Sequence, residues 1–228
     1  MSNYKYLLLL IILLLVLSFF DYEKIDLVYI EKPLLGKVIF VDSGHGGRDP
    51  GTMYGSIYEK DINLEIAKIL EQELSVNGAV VYLTREDDRD YSSEWDKNKK
   101  RGDLYRRLIM MRDSELKVDL YLSIHINWGI GDKIGGAEVL YHPINPKNKK
   151  LADAIMERFK DELNSRRVVK KTDLYMYKNT TIPGVLIECG FLSHPNDRYL
   201  LQKEDYQKRI ALTITKGVID YFMKMDIE

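Results

Sequence analysis

Short runs of apolar residues alternate along the chain with longer segments in which apolar residues recur every three or four positions. The runs have the length and composition of buried strands, and the clearest lie at residues 37–42, 79–84, 118–126, 135–142 and 185–189. A further short strand is predicted at residues 174–177. Helical spacing predicts helices at residues 61–76, 104–115, 148–163 and 204–223. This order predicts an α/β domain with a central, mostly parallel, twisted sheet of about six strands and helices on both faces.

The amino-terminal segment has a different pattern. Residues 7–16 are an unbroken aliphatic run preceded by Lys5, as in a secretory signal or a membrane anchor. No small-residue cleavage motif follows, because the next residues are Phe19, Phe20 and Asp21. An uncleaved anchor is therefore favoured, and it directs the rest of the chain outside the cytoplasm. The predicted division is a signal or anchor at residues 1–22, a spacer at 23–36 and a catalytic domain at 37–226.

Composition limits the kinds of chemistry that are available. Lysine and arginine number 34 against 35 acidic residues, so no basic excess indicates nucleic-acid binding. The single cysteine, Cys189, excludes an intramolecular disulfide and a CxxC zinc site. Any metal must then be held by histidines and carboxylates. Cys189 itself is interpreted as a small core residue rather than a nucleophile.

Residues 87–103 are polar and charged, and they include Trp95. They are predicted to form a long surface loop. Such a loop is either a lid or groove wall beside a substrate site or a plain surface insertion, and the sequence leaves both open.

Three ionisable residues stand at or near the carboxyl ends of predicted strands. His45 follows the first strand between glycines, His125 is near the end of the strand at 118–126, and Glu188 closes three aliphatic residues. In open α/β sheets, sites form outside these strand ends. Taken singly, His125 fits a core histidine. Glu59, which opens the first long helix, likewise fits a carboxylate favoured by the helix dipole.

Taken together, these residues could supply the chemistry of a catalytic zinc site. Such a site uses three protein ligands and leaves a fourth position open, and a further carboxylate can move the proton of an attacking water. No compact H-E-x-x-H motif is present, so spacing alone does not assign the roles. His142 and His194 have no partners in any motif and are interpreted as structural or surface residues.

The motifs around these residues closely resemble those of the type 3 N-acetylmuramoyl-L-alanine amidases. The blocks occur in the family's order and are Val41–Asp49, Glu59–Asp61, Leu83–Arg85, Ser123–Asn127 and Glu188–Ser193. The resemblance implies that His45, Glu59 and His125 bind one Zn²⁺ and that Glu188 is the catalytic base. Two positions depart from the family, which usually has Pro at Ser43 and Ala at Ile126. Neither replaces a ligand, so they affect the expected local geometry rather than the expected activity.

The resemblance also implies a substrate and a setting. The family hydrolyses the amide between N-acetylmuramic acid and L-alanine in peptidoglycan. One catalytic domain behind a membrane segment is most similar to the members that make muramic-δ-lactam in spore cortex, some of which work with a lipoprotein partner. These features imply action at the outer face of the membrane around the developing spore. The alternatives are a zinc peptidase or deacetylase acting on another peptidoglycan bond, and a non-catalytic peptidoglycan-binding regulator.

Overall fold

The computed structural model describes residues 4–8, 10–12, 32–113 and 117–225. The chain forms two units, residues 1–31 and 32–228, and the first is helical at 4–8 and 10–12. Within the described part of the chain, no helix combines the length and the apolar character needed to cross a bilayer. Most of the predicted anchor at 1–22 and spacer at 23–36 lies outside the described residues, so both stay predictions.

The second unit is built on a six-stranded sheet and a small hairpin. The strands are β1 (Val38–Ser43), β2 (Met53–Tyr54), β3 (Ile57–Tyr58), β4 (Val80–Leu83), β5 (Leu120–Asn127), β6 (Glu138–Tyr141), β7 (Lys170–Lys171) and β8 (Gly184–Phe191). The sheet order is β4-β1-β5-β8-β6-β7, and β2 pairs with β3 outside it. Strands β4, β1, β5 and β8 are parallel, whereas β6 runs antiparallel to β8. The prediction of a mostly parallel sheet is confirmed.

Helices cover both faces of this sheet. They are α1 (Glu59–Val76), α2 (Lys99–Arg112), α3 (Pro146–Leu163), α4 (Tyr175–Lys178), α5 (Pro195–Leu201) and α6 (Glu204–Met225). Alternate residues along the central strands face two different apolar clusters, one on each side of the sheet. Ile39 and Leu122 face the larger cluster with α1, α3 and α6, whereas Phe40 and Tyr121 face a smaller cluster with α2 and α4. Strand alternation therefore determines which side chains face each layer.

One predicted strand is a helix in the structure, and several elements were not predicted. Residues 174–177 are not a strand. Tyr175–Lys178 form the short helix α4, because Met176 and Tyr177 are both buried in the smaller cluster and adjacent residues of a strand would point to opposite faces. The sixth strand is instead the exposed, polar β7, which has no apolar signal. The hairpin β2–β3 and helix α5 were also not predicted.

The predicted boundary between the loop at 87–103 and the helix at 104–115 is wrong. Helix α2 begins at Lys99, and the side chain of Asn98 accepts a hydrogen bond from the Arg101 amide, which caps the helix. The first turn is charged and largely exposed, so it carries no apolar periodicity that would reveal it.

Candidate active site

The carboxyl end of β1 leads into a tight turn that carries His45. This residue has a φ of +62°, a conformation that costs a non-glycine residue free energy unless its surroundings fix it. Two reciprocal backbone hydrogen bonds between Gly46 and Asp49 close the turn. The Asp49 carboxylate pairs with Nδ1 of His45 at 2.8 Å, which leaves Nε2 directed at Glu59, 3.3 Å away. The turn therefore orients the imidazole for an interaction at Nε2.

Glu59 is the first residue of α1 and is almost completely buried. Its Oε1 lies 2.9 Å from Nδ1 of His125 and accepts a hydrogen bond from the Ile126 amide. Its Oε2 accepts a hydrogen bond from the Thr52 amide at 2.7 Å. Burial opposes the charged form, but the hydrogen bonds from both histidines hold the pKa of Glu59 well below its usual range. The carboxylate is therefore ionised at neutral pH, as a metal ligand must be.

The side chains of His45, Glu59 and His125 form the one group of potential metal ligands found among the described residues, with one ligand atom from each within 4.8 Å of the others. Two ligands on a tetrahedral zinc ion lie about 3.4 Å apart when the bonds are about 2.1 Å long. Glu59 Oε1 lies 2.9 Å from His125 Nδ1 and 3.3 Å from His45 Nε2, separations close to that value. The donor set fits a zinc site.

Glycine makes this close arrangement possible. A Cβ atom on Gly44 would lie 2.4 Å from two ring atoms of His125. A Cβ atom on Gly51 would lie 2.5 Å from Oε2 of Glu59. Any side chain at either position would displace a potential ligand.

Glu188 lies on β8, opposite His125 of β5 on one side and Glu138 of β6 on the other. Its Oε2 is buried, and no described residue forms a hydrogen bond with it. Burial raises the pKa of Glu188 to about 8, and the charges of Glu59 and Glu138 add to this effect. This carboxyl group can hold a proton near neutral pH, as a general acid–base must.

Two buried arginines hold the backbone around His45. Arg107 of α2 donates to Asp42 Oδ1 at 2.8 Å and to the carbonyl of His45 at 2.6 Å. Arg85 donates to the carbonyls of Ser43 and Gly44. From the sequence, Arg85 stands out only as part of a motif, and neither Arg107 nor Asp42 stands out by itself. The apolar residues before Asp42 could have revealed this network, because a carboxylate in a buried strand needs a partner.

Comparison with known proteins identifies the family of this chain. The family described as N-acetylmuramoyl-L-alanine amidase, type 3, matches residues 39–220. The chain belongs to this family. It is 40% identical over 195 residues to the germination-specific N-acetylmuramoyl-L-alanine amidase of Bacillus subtilis, an alignment that covers 83% of this chain and 81% of that protein.

Solved structures extend the similarity to the fold of this amidase. The CwlD amidase of Clostridioides difficile, solved in complex with the GerS lipoprotein, is 36% identical with a TM-score of 0.77, covering 84% of this chain and 100% of that one. The catalytic domain of CwlV from Bacillus (Paenibacillus) polymyxa is 29% identical with a TM-score of 0.71, covering 84% and 99%.

A cavity of about 250 Å³ opens beside the metal-ligand group of the amidase. His45, His125 and Glu188 line it together with apolar and aromatic residues of α4. A larger cavity of about 620 Å³ lies between α3 and β7, but none of these ionisable groups reaches it. The smaller cavity is therefore the candidate active site, because it contains the chemistry.

The loop before α2 borders this site. Asp90 and Ser92 line a groove with Lys100 and Asp103, and those last two residues also line the active-site cavity. Trp95, in contrast, is 92% exposed and lines neither space. Asp90 and Ser92 do not line the active-site cavity itself, so both predictions for this loop stay predictions.

Three other residues singled out in the sequence have structural environments. The His194 side chain caps α5 by accepting a hydrogen bond from the Asp197 amide. Nδ1 of His142 accepts a hydrogen bond from the Ile144 amide. Cys189 is buried in the larger apolar cluster. None of the three lines the active-site cavity.

Proposed function

We propose that this amidase cleaves the bond between N-acetylmuramic acid and L-alanine with one Zn²⁺ held by His45, Glu59 and His125 and with Glu188 as general base. The observation that carries the proposal is the position of Glu188. Its Oε2 is buried without a partner among the described residues, and it lies one strand away from a group of three zinc-type ligands.

Zinc bound at these residues would supply a Lewis acid that polarises the scissile carbonyl. Glu188 takes the proton of the attacking water and delivers it to the alanine nitrogen as the amide bond breaks. Burial raises the pKa of this carboxyl group in the metal-free protein, the direction that favours holding a proton between the two transfers. Asp49 fixes the orientation of the His45 ring through Nδ1, a role that carboxylates often have beside metal-bound histidines.

The biological setting that we propose is maturation of the spore cortex, through formation of muramic-δ-lactam at the outer face of the membrane around the developing spore. The similarity to a germination-specific amidase and to CwlD supports it. The aliphatic run at residues 7–16 supports attachment to a membrane. The complex of CwlD with the GerS lipoprotein supports a lipoprotein partner for this chain as well.

The test is digestion of purified peptidoglycan by the full-length chain in mild detergent, with zinc content measured in parallel. We expect new L-alanine amino termini, peptide-free muramic acid and one zinc per chain. The Glu188→Gln variant should retain zinc and release no product. Cleavage of another bond would favour a peptidase or deacetylase. Loss of zinc without loss of activity would contradict the metal mechanism.

A further inference from the structure

A second buried polar atom without a partner lies at the same cavity as Glu188. The Tyr177 side chain lies on α4 and is 2% exposed, and it lines the active-site cavity. No described residue forms a hydrogen bond with its hydroxyl oxygen. Buried hydroxyl groups are nearly always partnered, because an unmade hydrogen bond costs free energy. An unpartnered one beside a reaction site therefore points to a partner that it gains during the reaction.

The immediate surroundings of the Tyr177 hydroxyl offer few other partners. The Ser123 hydroxyl lowers the pKa of Tyr177 in the way a hydrogen-bonding neighbour does, but the geometry between the two hydroxyl groups does not reach that of a hydrogen bond. The Ser123 hydroxyl donates to Asp42 Oδ2 at 2.7 Å, and the Tyr121 hydroxyl donates to the same oxygen. Asp42 thus has its hydrogen bonds from other donors.

The electrostatics keep Tyr177 in the form that can donate. Burial raises the pKa of its hydroxyl well above the ordinary value, and the negative charges of Asp42 and Glu188 raise it further. Tyr177 is therefore a neutral phenol whenever Glu188 is ionised. A phenol is a strong donor to a carboxylate, and such charge-assisted hydrogen bonds are short.

We propose that Tyr177 is a positioning residue that donates its hydroxyl hydrogen to Oε2 of Glu188 in the substrate complex, holding the carboxylate so that its other oxygen serves as the base. Both atoms are buried, unpartnered and complementary as donor and acceptor. Catalytic hydrogen bonds are often long in substrate-free enzymes and shorten only when substrate binds. The inference rests on the proposed role of Glu188.

The first experiment compares the full-length, zinc-loaded wild type with Tyr177→Phe on soluble muramoyl-peptide fragments. We expect kcat to fall roughly tenfold, a part of the roughly 10²- to 10⁴-fold that a positioned base contributes, while KM stays within about twofold. The melting temperature should not fall, because the lost hydroxyl is unpartnered in the free protein. An unchanged kcat would overturn the inference.

Two matched tyrosine variants separate positioning from packing. The ring of Tyr121 lies 5.5 Å from that of Tyr177, but its hydroxyl bonds Asp42, so Tyr121→Phe should lower the melting temperature. Tyr105 is 51% exposed on α2, so Tyr105→Phe should leave stability and kcat unchanged. A lower melting temperature for Tyr177→Phe, as for Tyr121→Phe, would assign Tyr177 a structural role and overturn the inference.

A double-mutant cycle with Glu188→Asp tests whether Tyr177 acts through Glu188. The shorter side chain withdraws the carboxylate from the hydroxyl, so Tyr177→Phe should then have little further effect on kcat. The same tenfold loss in both backgrounds would show that Tyr177 acts independently and would refute the inference. Wild-type activity of Glu188→Gln would instead refute the role of Glu188 itself, which keeps the two failures distinguishable.

Discussion

Asp42 is buried and Glu188 is half-buried with a buried Oε2, and the two carboxyl groups lie on the same face of one sheet in opposite surroundings. Asp42 forms an ion pair with Arg107 and accepts hydrogen bonds from Thr84, Tyr121 and Ser123. Glu188 has one oxygen without any partner among the described residues. Charge pairing holds the pKa of Asp42 well below its ordinary range although burial opposes it, whereas burial raises that of Glu188.

This difference distinguishes a carboxyl group with a structural role from one that is available for catalysis. A buried charge with a complete set of partners stabilises one conformation only if every partner stays in place. A buried carboxyl group with an unused oxygen costs stability, and such groups cluster at functional sites. Glu138, the neighbour of Glu188 on β6, belongs to the first kind, since Arg167, Lys170 and Asn127 satisfy it. Burial alone therefore does not identify the base, and the count of partners does.

The largest expected effect comes from replacing Glu188, the carboxyl group with an oxygen that has no partner among the described residues. Glu188→Gln keeps the shape of the side chain but removes its basicity, so kcat should fall by roughly 10²- to 10⁴-fold. Zinc content should not change, because Glu188 is outside the ligand group. Product release and metal analysis on the same preparation measure both. The exposed Glu94→Gln serves as control, and equal activity of the two variants would contradict the assignment.

The next largest effect comes from removing the ion-pair partner of Asp42. Arg107→Met leaves Asp42 buried without its cation, which should lower the free energy of unfolding by about 3–5 kcal/mol. The adjacent Arg106 pairs with Asp96 at the surface, so Arg106→Met should cost less than about 1 kcal/mol. Urea denaturation compares the two. Similar losses would show that the buried network contributes no more than a surface ion pair.

A smaller effect tests the close packing at the ligands. Gly44→Ala would push a Cβ atom against the His125 ring, and we expect zinc affinity to fall by roughly 10- to 100-fold, as for other changes beside a metal ligand. Gly36 has a φ of +77° but open space around it. Gly36→Ala should therefore cost about 1 kcal/mol of stability and leave zinc affinity unchanged. Competition with a chelator measures the affinities.

A last prediction concerns the pH dependence of stability in the metal-free protein. An acid whose pKa rises on folding, here from 4.5 to about 8, keeps its proton in the folded state after the unfolded state has lost it. Glu188 therefore lowers stability progressively as the pH rises from 4.5 towards 8, by up to about 1.4 kcal/mol per pH unit. The stability advantage of Glu188→Gln should grow over this range. A constant difference would show that the pKa of Glu188 is not raised.

The sequence was sufficient to predict the strands at the centre of the sheet. The strands β1, β5 and β8 have apolar runs because they lie in the middle of the sheet and are covered on both faces. The strand β7 at the edge is two exposed lysines and has no such signal. Helix α4 was predicted as a strand because four residues are too few for periodicity to distinguish the two.

Only some residues of the candidate active site could be predicted from the sequence. His45, His125 and Glu188 follow from their place at strand ends, where the structure indeed brings them to one cavity. Glu59 by itself fitted a helix-dipole carboxylate better than a metal ligand, and only the family resemblance assigned it a ligand role. The partners of Asp42 lie 42 to 81 residues away in sequence. No local pattern encodes such distant contacts, so the network and the unpartnered hydroxyl of Tyr177 required the structure.

The guanidinium group of Arg85 has a consequence for calorimetry. It donates to four carbonyl oxygens, those of Ser43, Gly44, Lys60 and Asp87, and so ties the end of β1 to the start of α1. The segments that carry His45 and Glu59 are therefore assembled before a metal ion arrives. Loading then buries little new apolar surface, and the heat capacity of the protein should hardly change when zinc binds.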